Sequence, residues 1–416
     1  MKIKIINILY HPPYYEAYHN KIRTEINWDI PNGSWVGICG YDWPDLVGNE
    51  VLKLTDKFEY EVWQPDLRAD KIYSHTFENG LVHKLFPAEE KTQFYMMNFQ
   101  KVITSKIMLE SISNEKKKFN VILNLNSNPR FFINNEIIMK NHSSTPILVT
   151  FHGNFTDYSK ISKNNILKYV YALYKKNKFR SLLEKVNYLT YQNNDQKAAL
   201  TNLAIPNEKM SFLTMGVDFD YWKANAKGTS SNEKIRFLIA SRFVPLKQID
   251  KIIIIFDKLK KRFNNFKLVI AGHGDAEYEN YLGNISKDLI ELNLLEYVGY
   301  KTGDDMLKLY NQSDYFITVS TSEGCSVSVM KAMACNVNIF STNVGGTANL
   351  LEKYQKGVIV SRYNYDEWEK RIVEILEGKQ IPILDRETAK QYFHWPNIAS
   401  KFIEIYNNLL EKHGTK

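Results

Sequence analysis

The sequence predicts an α/β protein built from two doubly wound, Rossmann-like domains facing a central cleft. Three observations predict it. Short apolar, β-branched runs alternate with amphipathic helical stretches, the pattern of parallel sheets covered on both faces. The alternation comes in two series, which part near residues 203–207 at Pro206 in "NLAIPNEKM". A chain of 416 residues, 44% apolar and 13% aromatic, is also long enough for two cores and too apolar for disorder.

The first series has strands at 2–10, 60–64, 121–124, 147–150 and 188–191. Its opening stretch, MKIKIINILY, alternates lysine with apolar residues and has no small-residue cleavage site, so it reads as a strand and not as a signal peptide. The second series has strands at 235–240, 267–271, 315–319, 336–340 and 358–360, with helices at 247–263, 276–292 and 365–376. The expected division is an N-terminal domain, 1–205, a C-terminal domain, 206–390, and a last helix within 391–416. That helix is apolar at Ile398, Phe402, Ile405 and Leu409, and the sequence leaves its docking open. Open α/β sheets bind ligands beyond the carboxyl ends of their strands, so the chemistry is expected there.

Charge and cysteine content narrow the function classes. The net charge is +8, with 26 Lys+Arg against 20 Asp+Glu in residues 1–205 and 28 against 26 in the rest. Such a surplus suits anionic lipid or polyphosphate ligands. The basic residues are dispersed and no motif organises them, so a nucleic-acid partner is not expected. Cys39, Cys325 and Cys335 make neither a disulfide framework nor a zinc pattern. No run approaches the ~18 apolar residues of a membrane span, which points to a soluble, cytoplasmic protein. Residues 160–185 carry eight Lys+Arg and one acid among tyrosines, phenylalanine and leucines. They suit either a peripheral helix at the inner face of the membrane or an ordinary solvated basic face.

Three strand-to-helix turns carry chemistry. In "IASRFVPLKQ", Arg242 and Lys247 follow a strand, where a fork and a point charge together would fit a diphosphate; a solvated charged turn is an equal alternative. In "LVIAGHGDAEYENYL", Gly272 and Gly274 lack the rest of a dinucleotide fingerprint and read as a tight turn that lets a ligand approach the backbone. In "TVSTSEGCSVSVMKAMAC", a strand turns through Thr321–Gly324 into a small-residue helix whose free N–H groups would take an anion. Glu323 in that turn faces sugar hydroxyls or favours the helix dipole. "TNVGGTANL" repeats the strand–glycine–helix arrangement.

In order, G-V-D at Gly216–Asp218, S-R-F-V-P-L-K at Ser241–Lys247, A-G-H-G at Ala271–Gly274, V-G-Y at Val298–Tyr300, S-E-G followed by K-A-M-A-C at Ser322–Cys335, and N-V-G-G at Asn343–Gly346 resemble the donor half of GT-B glycosyltransferases. They are most similar to the retaining family 4. The resemblance covers about residues 213–360 and implies a retaining, metal-independent transferase of hexosyl type. It would move a sugar from a UDP- or GDP-linked donor to a glycan, lipid-linked or other hydroxyl acceptor, with no cofactor. It implies that Arg242 and Lys247 neutralise the leaving diphosphate. Glu323 would bind the donor sugar, with Gly216, Gly272, Gly274, Ser322, Gly324, Cys325, Ser326, Val327, Gly345 and Gly346 around the donor. Val298 and Tyr300 would border the nucleobase. His152 in "ILVTFHGNF" resembles the family's strand-end histidine beside the transferring sugar, although a lone strand-end histidine is more often structural.

The chain also departs from the family. Lys331 stands where a second glutamate usually grips the ribose hydroxyls, and a cation offers them no acceptor. Glu323 and Lys331 are about two turns apart on nearly the same helical face, so Lys331 is expected to point into the same donor site, at phosphate or at another residue's carboxylate. Cys325-Ser326, Asn336 and Asn349 replace an aromatic–glycine pair, a glycine and an acid, and together suggest altered donor recognition or lost catalysis. The glycines usual after the first strand are missing; Gly33, Gly37 and Gly40 in "PNGSWVGICGYDW" are the phosphate-loop candidates, and Tyr14, Tyr15, Tyr18, Trp35 and Trp43 could stack on an acceptor sugar or simply pack. Asp218 and Asp220 have a D-x-D look, but two carboxylates make no magnesium site. Two rival functions remain: a silent relative serving as a binding subunit, and a GT-B nucleotide-sugar epimerase.

Overall fold

The computed structural model describes residues 2–9, 43–95, 98–127, 132–142, 144–152, 166–224 and 234–413. Gly33, Gly37, Gly40, Tyr14, Tyr15, Tyr18, Trp35 and Cys39 lie outside the described residues, as does the 160–165 part of the basic stretch. The chain forms two units, Met1–Thr214 with Trp395–Lys416, and Met215–His394.

The first unit is built on an eight-stranded sheet. Its strands are β1 (Ile3–Ile8), β2 (Phe58–Asp66), β3 (Tyr73–Thr76), β4 (Val82–Pro87), β7 (Asn120–Ser127), β8 (Ile147–Phe151), β9 (Tyr188–Tyr191) and β10 (Met210–Phe212), in the order β10-β9-β8-β7-β1-β2-β4-β3. All neighbours run parallel except β3 against β4. A separate antiparallel pair, β5 (Glu89–Tyr95) and β6 (Asn98–Thr104), accompanies it. The helices are α1 (Trp43–Leu54), α2 (Lys106–Glu115), α3 (Phe132–Asn141), α4 (Ile166–Leu183) and α5 (Asn194–Asn202). The sequence reading missed β3 to β6 because their alternation carries charge, as in EEKTQFY, and not a continuous apolar run.

Pro206 ends one helical stretch, yet the chain still adds β10 beside β9 before it leaves the first sheet. The division therefore falls at Thr214 and not at 205. The last helix, α14 (Trp395–His413), returns to the first unit. Its stripe of Ile398, Phe402, Ile405 and Leu409 is buried, with Phe402 against Trp43 at 5.6 Å between ring centroids and Tyr406 against Phe58 at 5.7 Å.

The second unit is a six-stranded, all-parallel sheet of β11 (Ile235–Ala240), β12 (Phe266–Ala271), β13 (Leu295–Gly299), β14 (Tyr315–Thr318), β15 (Asn338–Thr342) and β16 (Val358–Val360). The order is β13-β12-β11-β14-β15-β16. From β11 the chain winds out one way to β13, then returns past β11 and winds out the other way. The switch point of the sheet is therefore the seam between β11 and β14, where a doubly wound sheet opens its ligand crevice. The helices are α6 (Ile249–Leu259), α7 (Ala276–Ile285), α8 (Lys287–Glu291), α9 (Gly303–Asn311), α10 (Val327–Ala334), α11 (Gly345–Tyr354), α12 (Tyr365–Leu376) and α13 (Arg386–Phe393).

Two expected helices differ in detail. The stretch 276–292 breaks at Ser286, whose hydroxyl donates to the Leu282 carbonyl at 2.9 Å and competes with the helical ladder. The helix after Lys247 starts at Ile249, because Gln248 is left-handed with φ 48°.

Candidate functional site

A cavity of about 210 Å³ lies at the β11/β14 seam, lined by Ala240 and Thr318 from the strands and by Arg242, Lys247, Glu323 and Ser328 from the turns and helix beyond them. Cys325, Ser326 and Val327 complete the wall on the helix side. Three turns are locked together around it. The turn after β11 is held to the turn after β12 by Phe243 N–H to the His273 carbonyl and Asp275 N–H to the Phe243 carbonyl, both 2.9 Å. The turn after β14 is tied to the first by Thr321 N–H to the Leu246 carbonyl, 3.0 Å, and to the turn after β15 by Gly346 N–H to the Gly324 carbonyl, 2.9 Å.

The glycines make this interlock feasible. A Cβ on Gly272, at φ +143°, would stand 1.9 Å from the Ser241 carbonyl oxygen. One on Gly274 would stand 2.2 Å from that of Phe243. Gly345, at φ +81°, has the Glu323 Cβ at 2.9 Å from its missing side chain. The close approach that Gly272 and Gly274 permit is thus that of the Arg242 turn itself. These glycines position the cations, while Gly345 and Gly346 position the glutamate.

Lys247 and Glu323 form an ion pair at the cavity, each side chain only about one-seventh exposed. Arg242 is more exposed beside them. The start of α10 has no side-chain cap, as Ser326 accepts nothing from the first turn. Its first N–H groups therefore end at the cavity wall, where a helix start favours negative charge.

Lys331 is on α10 but is not part of that wall. Glu323 lies in the turn, and α10 begins only at Val327, so the shared helical face expected from continuous helix does not exist. The Lys331 ammonium lies 4.3 Å from the centre of the Trp222 ring. Burial there pulls it down to about 8, against a weaker opposing effect of Cys335. Among the described residues it has no ion pair. Asn336 is also explained locally. It follows α10 with φ 55°, the left-handed position where glycine is preferred and asparagine tolerated.

The remaining expected residues lie elsewhere in the second unit. Gly216 is buried beside Val217, whose N–H donates to the Phe393 carbonyl at 2.7 Å. Val298 and Tyr300 sit at the end of the edge strand β13, with the Tyr300 ring 5.1 Å from His273. Asp218 accepts from the N–H groups of Asp220 and Tyr221 at 2.8 and 3.1 Å, and Asp220 pairs with Lys390 at 2.9 Å. Both carboxylates are thus occupied in holding a turn.

In the first unit, His152 directly follows β8 in a polar group at the carboxyl ends of the strands. Its ring meets the Trp43 indole N–H, the Asn126 amide oxygen at 3.1 Å and the Gln192 amide at 3.4 Å. Asn126 in turn donates to the Asn7 side chain and the Ile8 carbonyl. Trp43, read from sequence as a stacking candidate, is buried and serves this histidine. Sequence reasoning missed Asn126 and Gln192. Asn126 lies near the carboxyl end of β7 and Gln192 directly follows β9, and that position was the available signal.

Residues 220–392 match the family described as glycosyl transferases group 1. The chain is 25% identical over 251 residues to an uncharacterized glycosyltransferase of Methanocaldococcus jannaschii, covering 57% of this chain and 63% of that one. It spans between about half and two-thirds of the first curated relatives it matches. Sucrose-phosphate synthase from Thermosynechococcus elongatus superposes with TM-score 0.68 at 13% identity, over 99% of this chain and all of the other. Anabaena HepE in complex with UDP does so with TM-score 0.64 at 13% identity, over 98% and 100%. The chain therefore has the GT-B fold of these structures, and its second unit matches the glycosyl transferases group 1 family over residues 220–392.

Proposed function

We propose that the protein is a glycosyltransferase that moves a sugar from a nucleoside diphosphate to a hydroxyl acceptor, a glycan or a lipid-linked glycan, with retention. One observation carries the reading: two cations, a glutamate and an uncapped helix start converge on one cavity at the sheet's switch point. The β-phosphate takes Arg242, Lys247 and the α10 amides. These fixed charges neutralise the diphosphate as the glycosidic bond breaks, so stabilisation rises where charge develops. That task needs no metal in this scheme. Glu323 accepts hydrogen bonds from the donor sugar and keeps Lys247 aimed while the site is empty. His152, with Trp43 and Asn126 fixing its ring, belongs to the acceptor-binding first unit. UDP is the first nucleotide to try, since it is the one bound by the similarly folded HepE; GDP is the next.

Calorimetric titration with UDP-, GDP-, ADP- and dTDP-sugars tests this. The expected result is binding of one donor that Lys247→Ala weakens about a hundredfold, the loss of a charged hydrogen-bonding partner. Anomer analysis of the product by NMR should show the donor's configuration. Failure of the wild type to bind any donor would favour the silent relative, and turnover of donor without acceptor would favour the epimerase.

A further inference from the structure

The first unit carries a helix face that its own sheet does not use. Ala172, Phe179, Leu182 and Leu183 of α4 are buried, but Ile166 is 75% exposed, Leu167 72%, Val170 57%, Leu173 41% and Tyr174 59%. At about 100° of rotation per residue these five side chains fall within one arc of roughly 120°, opposite Ala172, Phe179 and Leu183. Contiguous exposed apolar side chains of this kind mark a surface that meets something apolar.

The residues flanking the arc identify that partner. Along the helix, the turns after the apolar residues carry Arg180 and Lys176 to one side of the arc and Lys178 and Lys175 to the other, with Asn177 and Ser181 within it, and residues 166–183 contain five basic and no acidic residues. Glu136 of α3 pairs with Lys178 at 3.0 Å, and Arg180 pairs with Glu184 just past the helix at 2.9 Å. An exposed apolar patch continued along the helix by basic side chains on both flanks fits the boundary of a bilayer with anionic headgroups, where the long basic side chains reach phosphate while the patch enters the acyl region. A water-exposed basic face alone would not need exposed isoleucine, leucine and valine on the turns that lead into it.

We propose that α4 docks the protein onto an anionic membrane surface, with Ile166, Leu167, Val170, Leu173 and Tyr174 inserted and the basic residues on lipid headgroups. This stands apart from the transfer reaction, because it needs neither donor nor catalysis. The test is flotation of the full chain with vesicles of phosphatidylcholine alone and with roughly 30 mol% phosphatidylglycerol added, without nucleotide. Wild type should float with the anionic vesicles only. Leu167→Asn with Val170→Asn should reduce binding at least about tenfold, and Lys176→Gln with Arg180→Gln should reduce it and flatten its salt dependence. The two doubly substituted chains should melt as wild type does, since all four positions are exposed or partly exposed. Equal flotation with neutral vesicles, flotation that neither pair of substitutions weakens, or no flotation at all would overturn the proposal. So would light scattering showing that the apolar pair abolishes a self-dimer of a chain that binds no vesicles.

Discussion

Lys331 replaces an acid with a cation and then shelters it, against the Trp222 ring and with no ion pair among the described residues. In the folded protein it gives up its proton near pH 8, whereas in the unfolded chain it keeps it to about 10.5. The unfolded state thus binds more protons between these values, so the lysine opposes folding fully below about pH 8 and the cost fades toward pH 10.5. Lys331→Met should therefore stabilise at pH 7 by about 1–2 kcal/mol, the desolvation relieved less the cation–π attraction given up. The gain should shrink in thermal melts at pH 10; a gain independent of pH would show another cause. Asn336→Gly should leave donor affinity unchanged, because its role is a left-handed backbone and not a ligand contact. The substitutions themselves were plain in the sequence. Their causes were not, since Trp222 meets Lys331 only through tertiary packing and Asn336 sits where a helix end is decided.

The glycine turns show the same limit at the level of elements. Their spacing after strands was legible, because only tight strand-to-helix turns call for glycine there. The structure pressing against them was not legible, and it proved to be the neighbouring turn. Gly272→Ala should destabilise by about 1–3 kcal/mol, combining a strained φ with a collision at the Ser241 carbonyl, and should weaken diphosphate binding by displacing Arg242. Gly283→Ala is the contrast. It lies within α7 with open space around it, so the exchange should stabilise by about 0.5–1 kcal/mol and leave binding alone. Urea melts and titrations of the two variants check both expectations. The strands that sequence reading found are the continuous apolar ones, while the charged β5/β6 pair and the short β10 escaped it. Burial on both faces is what makes a strand conspicuous.

For the whole molecule, the decisive fact is that the chain enters the first unit twice. Pro206 marked a break in helical pattern, but nothing local announced that β10 would still join the first sheet or that α14 would return to it. Such pairings are made over long separations and leave only an apolar stripe behind. A chain ending at His394 should expose the surface that Phe402, Tyr406 and Leu409 cover, and scanning calorimetry should show the first unit's transition lost while that of the second persists. The second unit, for its part, begins and ends at one seam: Val217 bonds the Phe393 carbonyl and pairs with His394. It is an inserted cassette whose two ends are stitched together. Lifted out as residues 215–394, it would leave no loose strand behind at its own border. The entire β11/β14 crevice would travel with it, so the nucleotide capture proposed for that crevice would be a portable property of fewer than half the residues.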